Sequence, residues 1–268
     1  MHLLLVLINI LVPSNNHNLR KRRLLMKKLV MMIMLLGASS IFADDHTSSQ
    51  TGYGMAFEFR ATNPAAVAGS MRSFMATESG QNRLVGVSLV QNISNGTNMA
   101  THQINVLYPS PETMEANNAR NAGSADWMRY MMTMRESIEP VGENLFTIEM
   151  AKLNEDLANT PGSVGMLTTF KVTDPGTFMK AFEKLMSSDT ANNWPGDIYF
   201  GRVIGAGENE ATHWINALSK DMATLLNANT AMMGSKDMAA YSKAVADSRE
   251  VVSQSIQRVA LAFPLASE

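Results

Sequence analysis

The sequence predicts an α+β chain in which one unit, ordered strand, helix, strand, strand, helix, strand, occurs twice in tandem. Three observations carry this. The chain matches itself at a single gap-free offset of 111 residues, which relates Pro64 to Pro175, His102 to His213, Asp126 to Asp237 and Tyr130 to Tyr241. Apolar residues alternate with a period of two in some segments and recur at helical spacing in others, and both copies share the order of those segments. Finally, 268 residues with 46% hydrophobic and 17% charged side chains can bury a sizeable core, which excludes disordered and fibrous classes.

Residues 54 to 61 alternate Met55, Phe57 and Phe59 with Ala56, Glu58 and Arg60, the pattern of a half-buried strand. Asn63 and Pro64 then open a helix, the asparagine as cap and the proline in the first turn. Val67, Met71, Phe74 and Met75 form its apolar face, and Phe178, Phe182, Leu185 and Met186 repeat that spacing in the second copy. Residues 84 to 92 and 99 to 108 read as strands joined through Asn95 and Gly96, a strong hairpin signal. The stretch 110 to 138 is helical with a break at 121 to 124, beyond which Trp127, Tyr130, Met131, Met134 and Ile138 share a face. Residues 145 to 153 close the unit as a strand. The best-matching window pairs Ala-Thr-His-Gln-Ile-Asn-Val-Leu at 100 to 107 with Ala-Thr-His-Trp-Ile-Asn-Ala-Leu at 211 to 218, six identities in eight.

Ahead of the repeats, residues 26 to 43 carry a basic start at Lys27 and Lys28, an apolar core from Leu29 to Leu36 and a small residue at Ala43. This is the pattern expected of a cleaved secretory signal, too short to span a bilayer; Met26 is then the expected start and the upstream run the product of a mis-assigned one, the rival being a membrane-anchored leader that uses both apolar runs. The expected organisation is a leader over 1–43, a polar tail over 44–52, a first unit over 53–153, a join over 154–163 and a second unit over 164–268. Cleavage removes six basic residues and no acid, leaving 16 of 22 basic residues against 24 acidic ones, a net charge of −8. Such a surface repels phosphate backbones, so nucleic acid is not an expected partner. The expected location is periplasmic or secreted, without stable membrane insertion once the leader is removed. Absence of cysteine excludes disulfides, thiol catalysis and thiolate-bound metals.

This element order is the ferredoxin-like βαββαβ plan. Two such modules in one chain resemble the dimeric α/β-barrel superfamily, the antibiotic-biosynthesis-monooxygenase-like proteins and their relatives. The resemblance rests on element order, duplication and the helical break. It implies an intrachain pseudo-dimeric α/β barrel with a shared cavity. It also implies a choice among cofactor-independent oxygenases, haem-associated enzymes and proteins of other role; haem is thus a possible cofactor, though no motif indicates one.

On the central strands, alternation separates two faces. His102 and His213 fall with Ile104, Val106, Ile215 and Ala217 on the side expected to meet the helices. There a histidine serves a buried backbone group more readily than it serves as base or ligand, and the sequence supplies no neighbouring carboxylates for a metal site. The opposite side collects Thr101, Gln103 and Asn105, then Thr212, Trp214 and Asn216, together with Glu58, Arg60 and Glu149. So polar a face packs poorly against helices and is expected to line a wet cavity or a seam between modules. The ligand-binding candidates are therefore Glu58, Arg60, Gln103, Asn105, Glu149, Trp214 and Asn216, with His102 and His213 added; no metal site is expected. The expected function is an exported small-molecule-binding or interaction protein, capable of further oligomerisation. The alternative is a cofactor-independent or haem-associated oxidoreductase.

Overall fold

The computed structural model describes residues 52–207 and 209–265; the leader and the polar tail up to residue 51 lie outside them. The first half runs β1 (Gly52–Ala61), α1 (Pro64–Met75), α2 (Glu78–Gln81), β2 (Gly86–Ser94), β3 (His102–Tyr108), α3 (Pro111–Ala122), α4 (Ala125–Ser137), β4 (Ile138–Ile148) and β5 (Met150–Lys152). A 3-10 turn, Leu157–Asn159, leads into the second half. That half is β6 (Val164–Val172), α5 (Pro175–Met186), α6 (Asp189–Asn192), β7 (Ile198–Gly205), β8 (His213–Ser219), α7 (Met222–Met233), α8 (Lys236–Ala244) and β9 (Arg249–Phe263). Helices α1, α2, α3 and strand β3 sit 111 residues before α5, α6, α7 and β8.

The strands hydrogen-bond in the order β4-β1-β3-β2-β9-β6-β8-β7, and β7 pairs back to β4, so the sheet closes into an antiparallel barrel. Each half contributes four consecutive staves, and two seams join them. One is long, with Val87–Ser94 of β2 against Ile256–Phe263 of β9. The other is short: Leu145 and Phe146 meet Gly205 and Val203, and β5 continues it along β7. Closure removes the unpaired edges that an open four-stranded sheet would present.

Local signals place the helices. Asn63 Oδ1 accepts from Ala66 N at 3.1 Å, and Asp174 Oδ1 caps α5 through Thr177 N at 3.1 Å. Ser124, in the expected break, caps α4 through Trp127 N. The helices cover the outer sheet face in three apolar clusters, the third of them Leu225 of α7 with Val164, Trp194 and Ile198. Phe59, Met71, Phe74, Tyr130 and Met134 anchor the first, and Phe170, Phe178, Phe182, Phe200 and Tyr241 the second. Gly96 and its counterpart Gly207 turn their hairpin loops at φ +61° and +56°, a conformation open to glycine.

Strand β4 starts at Ile138, where the sequence suggested the helix still ran. Pro140 and Gly142 mask the strand signal, but Pro140 opposes Phe59 where β4 has no partner on its other side, the position a sheet tolerates proline.

The Ala-Thr-His window proves structural. Thr101 Oγ1 accepts from Ala61 N and lies 2.9 Å from His102 Nδ1; Thr212 Oγ1 accepts from Val172 N and lies 2.9 Å from His213 Nδ1. Asn98 and Asn209 cap the amides of Ala100 and Ala211 just upstream. In both halves this clip starts the third stave against the end of the first. His102 stacks on Phe59, and His213 packs against Phe178 and Phe200.

Two expectations follow. Residues 44 to 157 alone should give a homodimer or an aggregate, because both seam strands lose their partners; size-exclusion chromatography checks this, and a stable monomeric half would contradict it. Burial pushes both imidazoles below their ordinary value. The unfolded chain therefore binds protons that the folded one refuses, so stability is full above about pH 6.5 and falls as pH drops below it. The pair His102→Gln and His213→Gln should flatten the denaturant midpoint between about pH 7 and pH 5, the interval just around and below the ordinary imidazole value.

Candidate functional site

Inside the barrel lies a cavity of about 230 Å³ whose wall is drawn from both halves. Strand parity decides its chemistry. Along β3 and β8, Gln103, Asn105, Trp214 and Asn216 point inward; along β1, Gly54, Ala56 and Glu58 do so. Gln103 Nε2 donates to Asn105 Oδ1 on the same strand. Three inward polar atoms have no hydrogen-bond partner: Gln103 Oε1, Asn216 Oδ1 and Trp214 Nε1. Buried groups of this kind cost stability unless a ligand or water meets them.

Glycines make room for the large side chains. The Phe146 ring lies over Gly54, where a Cβ would collide with it, and a Cβ on the equivalent Gly165 would come within 2.7 Å of Asn216 Oδ1. Trp214 fills space above Gly201, within 2.8 Å of where a Cβ would stand, and meets Phe146 edge-on with ring centroids 5.3 Å apart. Gly201 occupies the position of Val90 and Trp214 that of Gln103, so the two halves of the cavity differ.

One mouth is covered by the join between the halves. Ala158 and Asn159 of the 3-10 turn reach the lining. The turn is held by Asp197, fully buried, whose carboxylate accepts from Asn154 N at 2.7 Å, Glu155 N at 3.0 Å and Leu157 N at 2.5 Å. Tyr199 lines the same end, and burial, then the charges of Asp197 and Asp156, push its phenol well above the usual range, so it stays protonated. The other mouth is rimmed by Asn95, Asn98 and Asn209, with Asn98 Nδ2 donating to Glu58 Oε2 at 3.1 Å.

Of the candidates, Glu58, Gln103, Asn105, Trp214 and Asn216 converge on the cavity. Four do not. Arg60 lies past the rim, paired in solvent with Glu139 at 2.8 and 2.6 Å, because β1 and β4 change register beside Glu58 and diverge from the lining. Glu149 has the wrong parity: Asn144, Phe146 and Ile148 face inward, and Glu149 instead pairs with Arg202 and accepts from Thr147 Oγ1. His102 and His213 face the helices. Thr101 and Thr212 are spent on the clips. Phe146 and Tyr199 were missed, although their two-residue spacing from Asn144 and Gly201 and the glycine at Gly54 carry the signal.

Among the described residues the lining contains no histidine, methionine or lysine, and the protonated Tyr199 is unsuited to bind iron as phenolate. Both buried imidazoles stand in aromatic packing outside the cavity. The residues present therefore do not fit haem. Among the described residues no group of three or more histidines and carboxylates could hold a metal ion, and no helix is long and apolar enough to cross a membrane.

The sequence matches no family model and no curated protein. Solved structures do resemble it. A provisionally assigned monooxygenase from Fusobacterium nucleatum superposes with a TM-score of 0.58 at 12% identity, covering 80% of this chain and 94% of that one. An anthrone oxidase-like protein gives 0.55 at 11% identity, over 82% and 97% of the two chains. A second provisionally assigned monooxygenase, from Lactobacillus acidophilus, gives 0.50 at 10% identity, over 81% and 99%. The chain thus has the fold of the dimeric α/β-barrel proteins: a closed antiparallel barrel with helices packed outside.

Proposed function

We propose that the chain is a tandem duplication of a ferredoxin-like module, exported through a leader ending at Ala43, whose barrel binds a small, flat, uncharged organic molecule. The carrying observation is the trio of unpartnered atoms, Gln103 Oε1, Asn216 Oδ1 and Trp214 Nε1, around one cavity. Two acceptors and one donor suit a ligand bearing hydroxyl or amide groups, and Phe146 and Trp214 supply an aromatic wall. The repeated element spacing and the stave order 4-1-3-2 in each half support duplication.

A second reading is supported by two neighbours, a provisionally assigned monooxygenase and an anthrone oxidase-like protein. In it the same cavity holds an aromatic substrate for cofactor-independent oxidation. The one carboxylate of the described lining, Glu58, is engaged by Asn98 at the rim, and no histidine or lysine joins it as a base, so binding is the reading the geometry favours.

Hydroquinone and catechol serve as probes. Saturable quenching of tryptophan fluorescence in the full chain, lost in Trp214→Phe, is the expected result; oxygen uptake with hydroquinone would favour oxidation instead. Stability supplies the second check. If Trp214 faces a wet cavity, Trp214→Ala costs under about 1.5 kcal/mol in chemical denaturation, whereas a dry packed seam would cost ~3 to 5 kcal/mol. Large losses in Trp214→Ala and Asn216→Ala together would sink the cavity reading.

A further inference from the structure

Buried polar atoms without partners occur at a second place, on the outside of the first half: Arg83 Nε, Arg120 Nε and, one residue on, Asn121 Oδ1. Arg83 follows α2, and Arg120 lies in the last turn of α3. Arg120 donates to the carbonyl of Asn82. Arg83 donates to the carbonyl of Gly80 at 3.1 Å and to that of Pro264. Both guanidiniums are therefore drawn to the end of α2, and Ser79 and Ser124, hydrogen-bonded at 2.8 Å, close the corner beside them.

No carboxylate among the described residues forms an ion pair with either arginine. Each guanidinium carries five N–H donors, and protein acceptors take two at Arg83 and one at Arg120. Burial, then the charge of Arg120, lowers the proton affinity of Arg83, and burial lowers that of Arg120. Carbonyls at a helix end would be satisfied by one cation. A second, brought up against the first with its donors unspent, is a cost that an anion would offset.

The second half makes the contrast. Trp194 and Ala231 stand at the equivalent positions, and an uncharged groove of about 470 Å³ opens there, lined by both. The charge pair is thus particular to the first half and is not required by the fold.

We propose that Arg83 and Arg120 form a single binding site for a small oxyanion of the phosphate or sulfate type, separate from the barrel cavity. Calorimetric titration of the full chain with inorganic phosphate, sulfate and acetate at constant ionic strength tests it. One saturable site is expected, tighter for phosphate and sulfate than for acetate. Arg120→Gln should weaken phosphate binding by at least about tenfold with unchanged circular dichroism, while Lys236→Gln leaves it intact. Arg120→Lys, which keeps the charge but loses the planar fork, should weaken it by about three- to tenfold, and carries the test if the glutamine variant does not fold. Absence of a saturable heat in the unsubstituted chain would overturn the proposal. So would equal binding by the Arg120 variants, or equal affinity for acetate.

Discussion

Backbone pairing across two seams is the constraint on which the rest of this structure depends. A four-stranded sheet ends in strands whose outward N–H and C=O groups must find partners, and here each half lends its edges to the other: β2 to β9, and β4 with β5 to β7. Only closure turns the inner sheet face into a cavity, and only there can amides and an indole face inward without being buried in apolar packing. The short seam is the demanding one. The Thr147 carbonyl lies where a Cβ on Gly201 would stand, so the approach of the two strands is possible because that residue is glycine.

The same closure lets the two halves of the wall differ. A dimer of identical chains would present every cavity residue twice; one chain need not. Asn105 and Asn216 stay alike, but Gln103 is answered by Trp214, Val90 by Gly201 and Phe146 by Gln257. These changes are coupled by volume. The indole takes the space that Gly201 vacates and leans on Phe146, which in turn occupies the space over Gly54. The seam is also tied by polar contact, with Gln257 Nε2 donating to Asn92 Oδ1 at 3.1 Å. An asymmetric pocket thus stands on a symmetric frame.

Where the two halves agree, the shared residues are mostly frame. The strongest stretch of internal similarity holds the strand-starting clips of Thr101 with His102 and Thr212 with His213, whose hydroxyls meet a backbone amide and an imidazole in each half. Its histidines face the helices, so similarity between the halves marks folding constraints there and not shared chemistry. The join is a departure of the opposite kind. Asp197 has Gly86 as its counterpart, and its carboxylate fixes the turn that covers one mouth of the barrel.

Sequence alone determined the α+β class, the order of the elements, the apolar faces of α1 and α5, and the inward placement of Gln103, Asn105, Trp214, Asn216 and Glu58. Those follow from periodicity and from caps and turns that act within a few residues. Tertiary structure decided the rest. Parity is legible only while register is unbroken, so Arg60, past the register shift beside Glu58, left the lining, and Glu149, across the break between β4 and β5, faces the outside. The early start of β4 at Ile138 depended on β1 lying beside Pro140. Phe146 became a wall residue because Gly54, distant in sequence, made room for its ring, and Tyr199 because β7 pairs it with the inward Asn216 of β8. Contacts of that range depend on which strands pair, and pairing is a property of the closed barrel that no local pattern encodes.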